Sequence, residues 1–266
     1  MSTIGFIGTG NMGGALARAA ARTSHSLLLA DGLPEKAEAL ARELGGTAVT
    51  AEEIIASADA VFLGVKPQML PALADQLRPA LAGRIGPILI ISMAAGVALE
   101  SLQALLGAYN PIIRIMPNTP VGVGEGMIVW CASANAIKAD KELFLDVLAH
   151  AGTLDELPES LIDAATAVMG CGPAFVDLFI EALADGGVKC GLPRDKALTY
   201  ATQMVLGSAK LVKESGKHPA ELKDAVCSPG GSTIVGVSAL EEGGFRGLTM
   251  AAVEASFERT KALNQK

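Results

Sequence analysis

Aromatic side chains are scarce in this sequence: 7 Phe, 2 Tyr and 1 Trp among 266 residues. Burial must therefore come from alanine, leucine, valine and glycine, a composition that suits closely packed α/β layers and helix bundles. The histidines number only 3. His25, His150 and His218 are too scattered to form a metal set, and none lies in a motif for a catalytic acid. The 4 cysteines, Cys131, Cys171, Cys190 and Cys227, are far apart with no C-x-x-C pair. That excludes a disulfide framework and suits thiols in a reducing compartment. Basic residues are outnumbered, 21 against 28 acidic, leaving a net charge of -7. Nucleic acid and anionic membranes reward basic patches, so neither is expected as a main partner. No continuous apolar run reaches the ~18 residues of a membrane span. The N-terminus enters an apolar run directly, without the basic and apolar regions of a signal peptide. A soluble, cytoplasmic protein is expected.

What is present begins at once. Ile4-Gly5-Phe6-Ile7 reads as a strand and Gly14 to Arg22 as an alanine-rich helix. Between them stands Gly8-Thr9-Gly10-Asn11-Met12-Gly13. This is the G-x-G-x-x-G spacing of a dinucleotide site, in the strand–loop–helix context the motif requires. Gly8 would allow the tight turn, Gly10 the approach of a pyrophosphate, and Gly13 the close packing of helix on strand. The phosphates would lie on the helix N-terminus, where free N–H groups favour negative charge. A plain βα turn is the alternative.

Leu27 to Ala30 is a second strand, ending on Asp31, 18 positions after Gly13. A carboxylate near there meets the adenosine ribose hydroxyls and prefers NADH over NADPH. It is equally placed to cap the helix Glu35 to Leu44, and Lys36 and Arg22 offer charge to a 2′-phosphate. A third unit is expected around Thr47 to Ala56. Ala60 to Val65 is wholly apolar, as in a parallel sheet covered on both faces. It runs into Lys66-Pro67, which places Lys66 either toward a ligand or simply in solvent. Ile88 to Ser92 leads into Met93-Ala94-Ala95-Gly96, small enough for a flat ring to lie against the backbone. Ile112 to Met116 leads into Pro117-Asn118-Thr119-Pro120, with Asn118 as a polar reader. Gly122 to Ala132 is expected as a strand or hairpin, Ile137 to Ala151 as a helix, and Gly152 to Leu157 as an edge strand. Strands alternating with helices predict an α/β fold with an N-terminal doubly wound Rossmann-type sheet over 1–158.

After Pro158 the strand signals cease. Leu161–Met169, Pro173–Gly187, Arg194–Ser215, His218–Cys227, Thr233–Glu242 and Thr249–Leu263 read as helices, so 159–266 is expected as an all-helical domain. Its long apolar faces call for a second copy. Within it, Cys227-Ser228-Pro229-Gly230-Gly231-Ser232-Thr233 opens a helix. The glycine pair would let N–H groups converge on a carboxylate without an arginine; an ordinary capped helix is the alternative. A carboxylate nest, a hydroxyl and no evident strong acid fit reduction of a small cyclic imino acid, whose C=N nitrogen is protonated easily.

These strings resemble pyrroline-5-carboxylate reductases along essentially the whole chain. The resemblance rests on Gly8 to Gly13, Val65-Lys66-Pro67, Ser92 to Gly96, Arg114 to Pro120, Gly170 to Phe175, Ala184 to Val188, Gly191-Leu192-Pro193 and Ser228 to Thr233. It implies reduction of 1-pyrroline-5-carboxylate to L-proline by NADPH or NADH, in a homodimer often assembled into decamers through interlocked helical domains. It also implies that Gly231, Ser232 and Thr233 bind the substrate carboxylate, with the Thr233 hydroxyl near the ring nitrogen and Glu159 near that pocket. Gly8, Thr9, Gly10, Asn11, Met12, Gly13, Asp31, Val65, Lys66, Pro67, Ala94, Ala95, Gly96 and Asn118 would line the cofactor. Cys171 departs from the family's usual serine, with an expected effect on helix capping. Ala51 replaces a cofactor-contacting asparagine, and Asp31 favours NADH. Two rivals remain in view: another imine or β-hydroxyacid reductase, which usually carries a lysine where Leu161 to Gly187 has none, and a non-catalytic dinucleotide-binding sensor.

Overall fold

The computed structural model describes residues 1–264; the last two residues of the expected helical domain lie outside them. Eight strands form one sheet in the order β3-β2-β1-β4-β5-β6-β7-β8. They are β1 (Thr3–Ile7), β2 (Ser26–Ala30), β3 (Thr47–Ala48), β4 (Ala60–Leu63), β5 (Leu89–Ser92), β6 (Ile112–Met116), β7 (Gly126–Ala132) and β8 (Gly152–Glu156). The first six run parallel. β7 turns back against β6, and β8 lies parallel to β7 at the edge.

Six helices flank the sheet: α1 (Asn11–Ala20), α2 (Pro34–Leu44), α3 (Ala51–Ser57), α4 (Leu70–Gly83), α5 (Leu99–Leu106) and α6 (Lys138–Val147). Alternate strand residues feed two separate cores, as a pleated strand requires. Ile4, Phe6, Phe62 and Ile91 point to the side holding Leu16, Leu40 and Phe144. Ile7, Val61, Leu63 and Ile90 point to the side holding Ile54, Leu70, Leu77 and Leu102. Phe6 and Phe62 stack at 4.6 Å across the β1–β4 pair. Thr50 and Glu53 form a reciprocal capping box at the start of α3, which explains why so short a helix begins there. The doubly wound sheet is as the sequence predicts, with β7 resolving the strand-or-hairpin alternative as an antiparallel strand.

The chain divides into two compact units, 1–170 with 257–266, and 171–256. Ile162 explains why the stretch after Pro158 stays with the first unit: it packs with Met116, Val129 and Cys131. This stretch is not a regular helix. One turn of α7 (Ile162–Ala165) gives way to a π-helical turn over Thr166–Gly170. Beyond it come α8 (Gly172–Lys189), α9 (Arg194–Ser215), α10 (Pro219–Ala225), α11 (Ser232–Glu242) and α12 (Phe245–Asn264). The second unit has a small core of its own, Ala184, Ala197 and Ala201. Large apolar side chains such as Leu178, Met204, Val235 and Leu240 are exposed on it in the single chain.

The helical run Glu159–Lys189 spans 31 residues and contains a window of mean hydropathy 1.6, long and apolar enough by length and composition alone to cross a membrane. Scattered small and acidic residues hide it from a search for unbroken apolar runs.

Candidate functional site

Pairing of β1 with β4 puts Ile7 opposite Leu63, so the residues that follow, Gly8 and Gly64, are neighbours. Gly8 turns the chain with φ +95°, a conformation other residues rarely adopt. A Cβ on it would stand 2.7 Å from the carbonyl of Gly64. A Cβ on Gly13 or on Gly64 would collide with the Gly8 carbonyl oxygen. Three stretches of bare backbone therefore meet. Gly10 is different: nothing lies within 4 Å of where its Cβ would be. It occupies the N-cap of α1 without a side-chain cap, leaving the first-turn N–H groups facing that open space. The arrangement fits a pyrophosphate, which needs close backbone approach and free donors. Gly64 was missed by sequence reasoning, since one glycine ending an apolar strand carries no signal until the partner strand is known.

Asp31, directly after β2, turns inward. Its Oδ2 accepts from the Thr9 N–H at 2.7 Å and the Thr9 hydroxyl at 3.0 Å. Oδ1 accepts from the Leu33 N–H at 3.0 Å. Partial burial raises the carboxyl pKa, but the Leu33 and Thr9 hydrogen bonds and the charge of Lys36 together outweigh it and hold it below the usual 3.8. The N-cap of α2 is Leu33, so Asp31 is not that helix's cap. Arg22 is not near this end at all. It follows the C-terminus of the 10-residue α1, about 15 Å along the axis from the glycine loop, with its guanidinium beside Gly124.

The other expected cofactor residues follow the ends of β4, β5 and β6. Lys66 is exposed, with Val65 and Pro67 half-buried beside it. Ala94 is buried, Ala95 exposed, and Gly96 has φ +77°. Asn118 is only 8% exposed. Its amide donates to the Met169 carbonyl at 3.0 Å, and its oxygen accepts from the Met127 N–H at 2.8 Å. It ties the loop after β6 to the π-helical turn, where Pro173, four residues after Met169, has no N–H to offer that carbonyl.

Glu159 lies in a second polar cluster. Arg114, 4% exposed, reaches Glu159 at 2.9 Å and Asp163 at 3.4 Å. The same Glu159 oxygen accepts from the Leu99 N–H at the start of α5 at 2.7 Å. Burial, with Glu159 adding to it, pushes the nearby Cys131 thiol up to about 11, so it stays protonated and unreactive. A cavity of about 380 Å³ opens beside Leu99, Cys131, Glu156 and Glu159. Its carboxylates make it unsuited to an anionic dinucleotide. Arg114 was legible only as part of a string; its two partners required the fold.

In the second unit, Gly230 has φ +67° and the Gly231 N–H donates to the Ser228 carbonyl at 3.0 Å. A Cβ on Gly231 would crowd the Ser228 hydroxyl, which would have to rotate away. Gly231 is the N-cap of α11 and supplies no side-chain cap. Ser232 and Thr233 are exposed in the first turn of that helix. No side-chain cap forms at this helix start, so its first-turn N–H groups are not engaged by a capping hydroxyl. Cys171 precedes α8 with φ -87° and ψ -29°. A capping side chain needs extended backbone, and the π-helical turn leaves none. Cys171→Ser should therefore change unfolding free energy by less than about 0.5 kcal/mol; a clear gain in a urea titration would mean that a cap had been restored.

A doubly wound sheet whose bare glycine loop meets an open-sided helix start defines an NAD(P)-dependent oxidoreductase of Rossmann type. Residues 3–96 match the NADP oxidoreductase, coenzyme F420-dependent family, and residues 159–263 match the pyrroline-5-carboxylate reductase dimerisation domain. The chain belongs to the pyrroline-5-carboxylate reductase family. The pea (Pisum sativum) pyrroline-5-carboxylate reductase is 40% identical over 98% of this chain and 96% of its own. The NADP-bound Plasmodium falciparum pyrroline carboxylate reductase superposes with TM-score 0.87 at 35% identity, covering 99% of this chain and 98% of that one. The Coxiella burnetii pyrroline-5-carboxylate reductase gives 0.89 at 29% identity, with 98% of each chain covered.

Proposed function

We propose that the chain reduces 1-pyrroline-5-carboxylate to L-proline with NADPH or NADH, the last step of proline biosynthesis. The observation that carries this is the pairing, in a member of this family, of two uncapped glycine-flanked helix starts: one before α1, the other before α11. Gly8, Thr9, Gly10, Asn11, Met12 and Gly13 would hold the dinucleotide phosphates. Val65, Lys66, Pro67, Ala94, Ala95 and Gly96 would line its nicotinamide half. The bound cofactor supplies the hydride that the C=N carbon takes up. The N–H groups of Gly231, Ser232 and Thr233 hold the substrate carboxylate. The Thr233 hydroxyl orients the ring nitrogen, which carries the proton of the product amine. Glu159 and Asn118, each engaged with protein partners, act by shaping the chain around the site.

Thr233→Ala should raise KM for the imino acid about tenfold, the worth of one hydrogen bond to a charged or protonated group, while cofactor affinity holds. Cofactor oxidation followed with and without 1-pyrroline-5-carboxylate is the decisive assay. Binding of NADPH without substrate-dependent turnover would leave only the sensor reading.

The assembly is a homo-oligomer built on the helical dimerisation segment, residues 159–263. We further propose a homodimer that associates into decamers, with the exposed apolar side chains of the second unit covered by another copy and not by lipid. The net charge of -7 supports the absence of nucleic acid and anionic membrane among its partners. Four free cysteines support a reducing, cytoplasmic location.

A further inference from the structure

A carboxylate closing the second strand of a dinucleotide fold ordinarily grips the adenosine ribose diol and thereby excludes a 2′-phosphate. Asp31 has the position but not the freedom. A carboxylate offers about four acceptor sites. Three are engaged within the protein: both donors of Thr9 on Oδ2, at 2.7 and 3.0 Å, and the Leu33 N–H on Oδ1, at 3.0 Å. A two-pronged grip on a diol would have to displace Thr9. Thr9 is itself the residue between Gly8 and Gly10, so the contact fixes the loop whose N–H groups are to meet the phosphates.

We propose that Asp31 is a positioning residue for the glycine loop, not a reader of the adenosine ribose. This rests on the dinucleotide reading of the glycine loop. The consequence differs from that of a ribose reader: loosening the loop weakens both cofactors equally, because the pyrophosphate is common to them.

The test is the dissociation constant of NADPH and of NADH, measured by isothermal titration calorimetry on the full chain. Asp31→Asn should weaken both by a similar factor, about tenfold, since charge-assisted hydrogen bonds are lost from the loop. Thr9→Val, which touches no ribose in either reading, should weaken both alike by about threefold or more. The proposal is overturned if Asp31→Asn shifts the NADPH to NADH ratio more than about fivefold, or if Thr9→Val changes neither constant. A merely structural role would lower the unfolding midpoint and leave both constants of the folded protein alone, which also overturns it. Should Asp31→Asn fail to fold, Thr9→Val carries the test. Failure of the wild-type chain to bind either dinucleotide would instead sink the reading on which this one rests.

Discussion

Gly13→Ala is expected to lose more than a hundredfold in affinity for NADPH and NADH and to unfold more easily, whereas Gly10→Ala loses the affinity alone. The contrast follows from the surroundings of the two Cα atoms. A methyl on Gly13 collides with the Gly8 carbonyl oxygen, and backbone cannot swing aside as a side chain can. α1 must move off β1 or the loop must open; overpacking of this kind costs about 3 kcal/mol. A methyl on Gly10 meets nothing within 4 Å, and Gly10 is an N-cap with φ -66°, which alanine adopts freely. The fold should hold, and only the space for the pyrophosphate is filled. Thermal unfolding and calorimetric titration of both variants check this. Wild-type affinity in Gly10→Ala would show that the phosphates lie elsewhere.

The second large effect belongs to Arg114. Arg114→Met should destabilise the protein by about 3 kcal/mol, in the range for breaking a buried ion pair by removing one partner. The buried guanidinium joins β6 to Glu159 and Asp163, and Glu159 in turn holds the first N–H of α5. Methionine fills much of the volume but leaves both carboxylates without their cation. Adding Glu159→Gln should recover part of the loss, because a neutral amide no longer needs that partner. Urea unfolding of the single and double variants measures both quantities. A loss under about 1 kcal/mol in the single variant would mean that water already shields the cluster.

These expectations draw on features of unequal legibility. The Gly8-Thr9-Gly10 spacing was plain because each glycine answers to its immediate neighbours in the chain. The strand Ile112–Met116 and the helix Arg194–Ser215 form over the expected residues, since their periodicity and their flanking Pro and Gly are local signals. The helix expected over Leu161–Met169 was interrupted instead by a π-helical turn. Pro173 has no N–H to offer the Met169 carbonyl four residues before it, and that carbonyl accepts instead from Asn118, 51 residues distant, a partner that no local pattern announces. Asp31 was visible as a carboxylate near a ribose or a helix start, and its engagement by Thr9 was not. Gly64 was an ordinary strand-end glycine until the register of β1 on β4 brought it against Gly8.

The sequence by itself determined the alternation of apolar strands with helices and the two glycine-flanked helix starts, before α1 and before α11. Both depend on what a few consecutive residues can do with their backbone. Only the tertiary structure decided which groups Asp31, Asn118 and Glu159 meet. Hydrogen-bond partners across a sheet are fixed by strand order and register, and those emerge from packing the whole core rather than from any stretch within it.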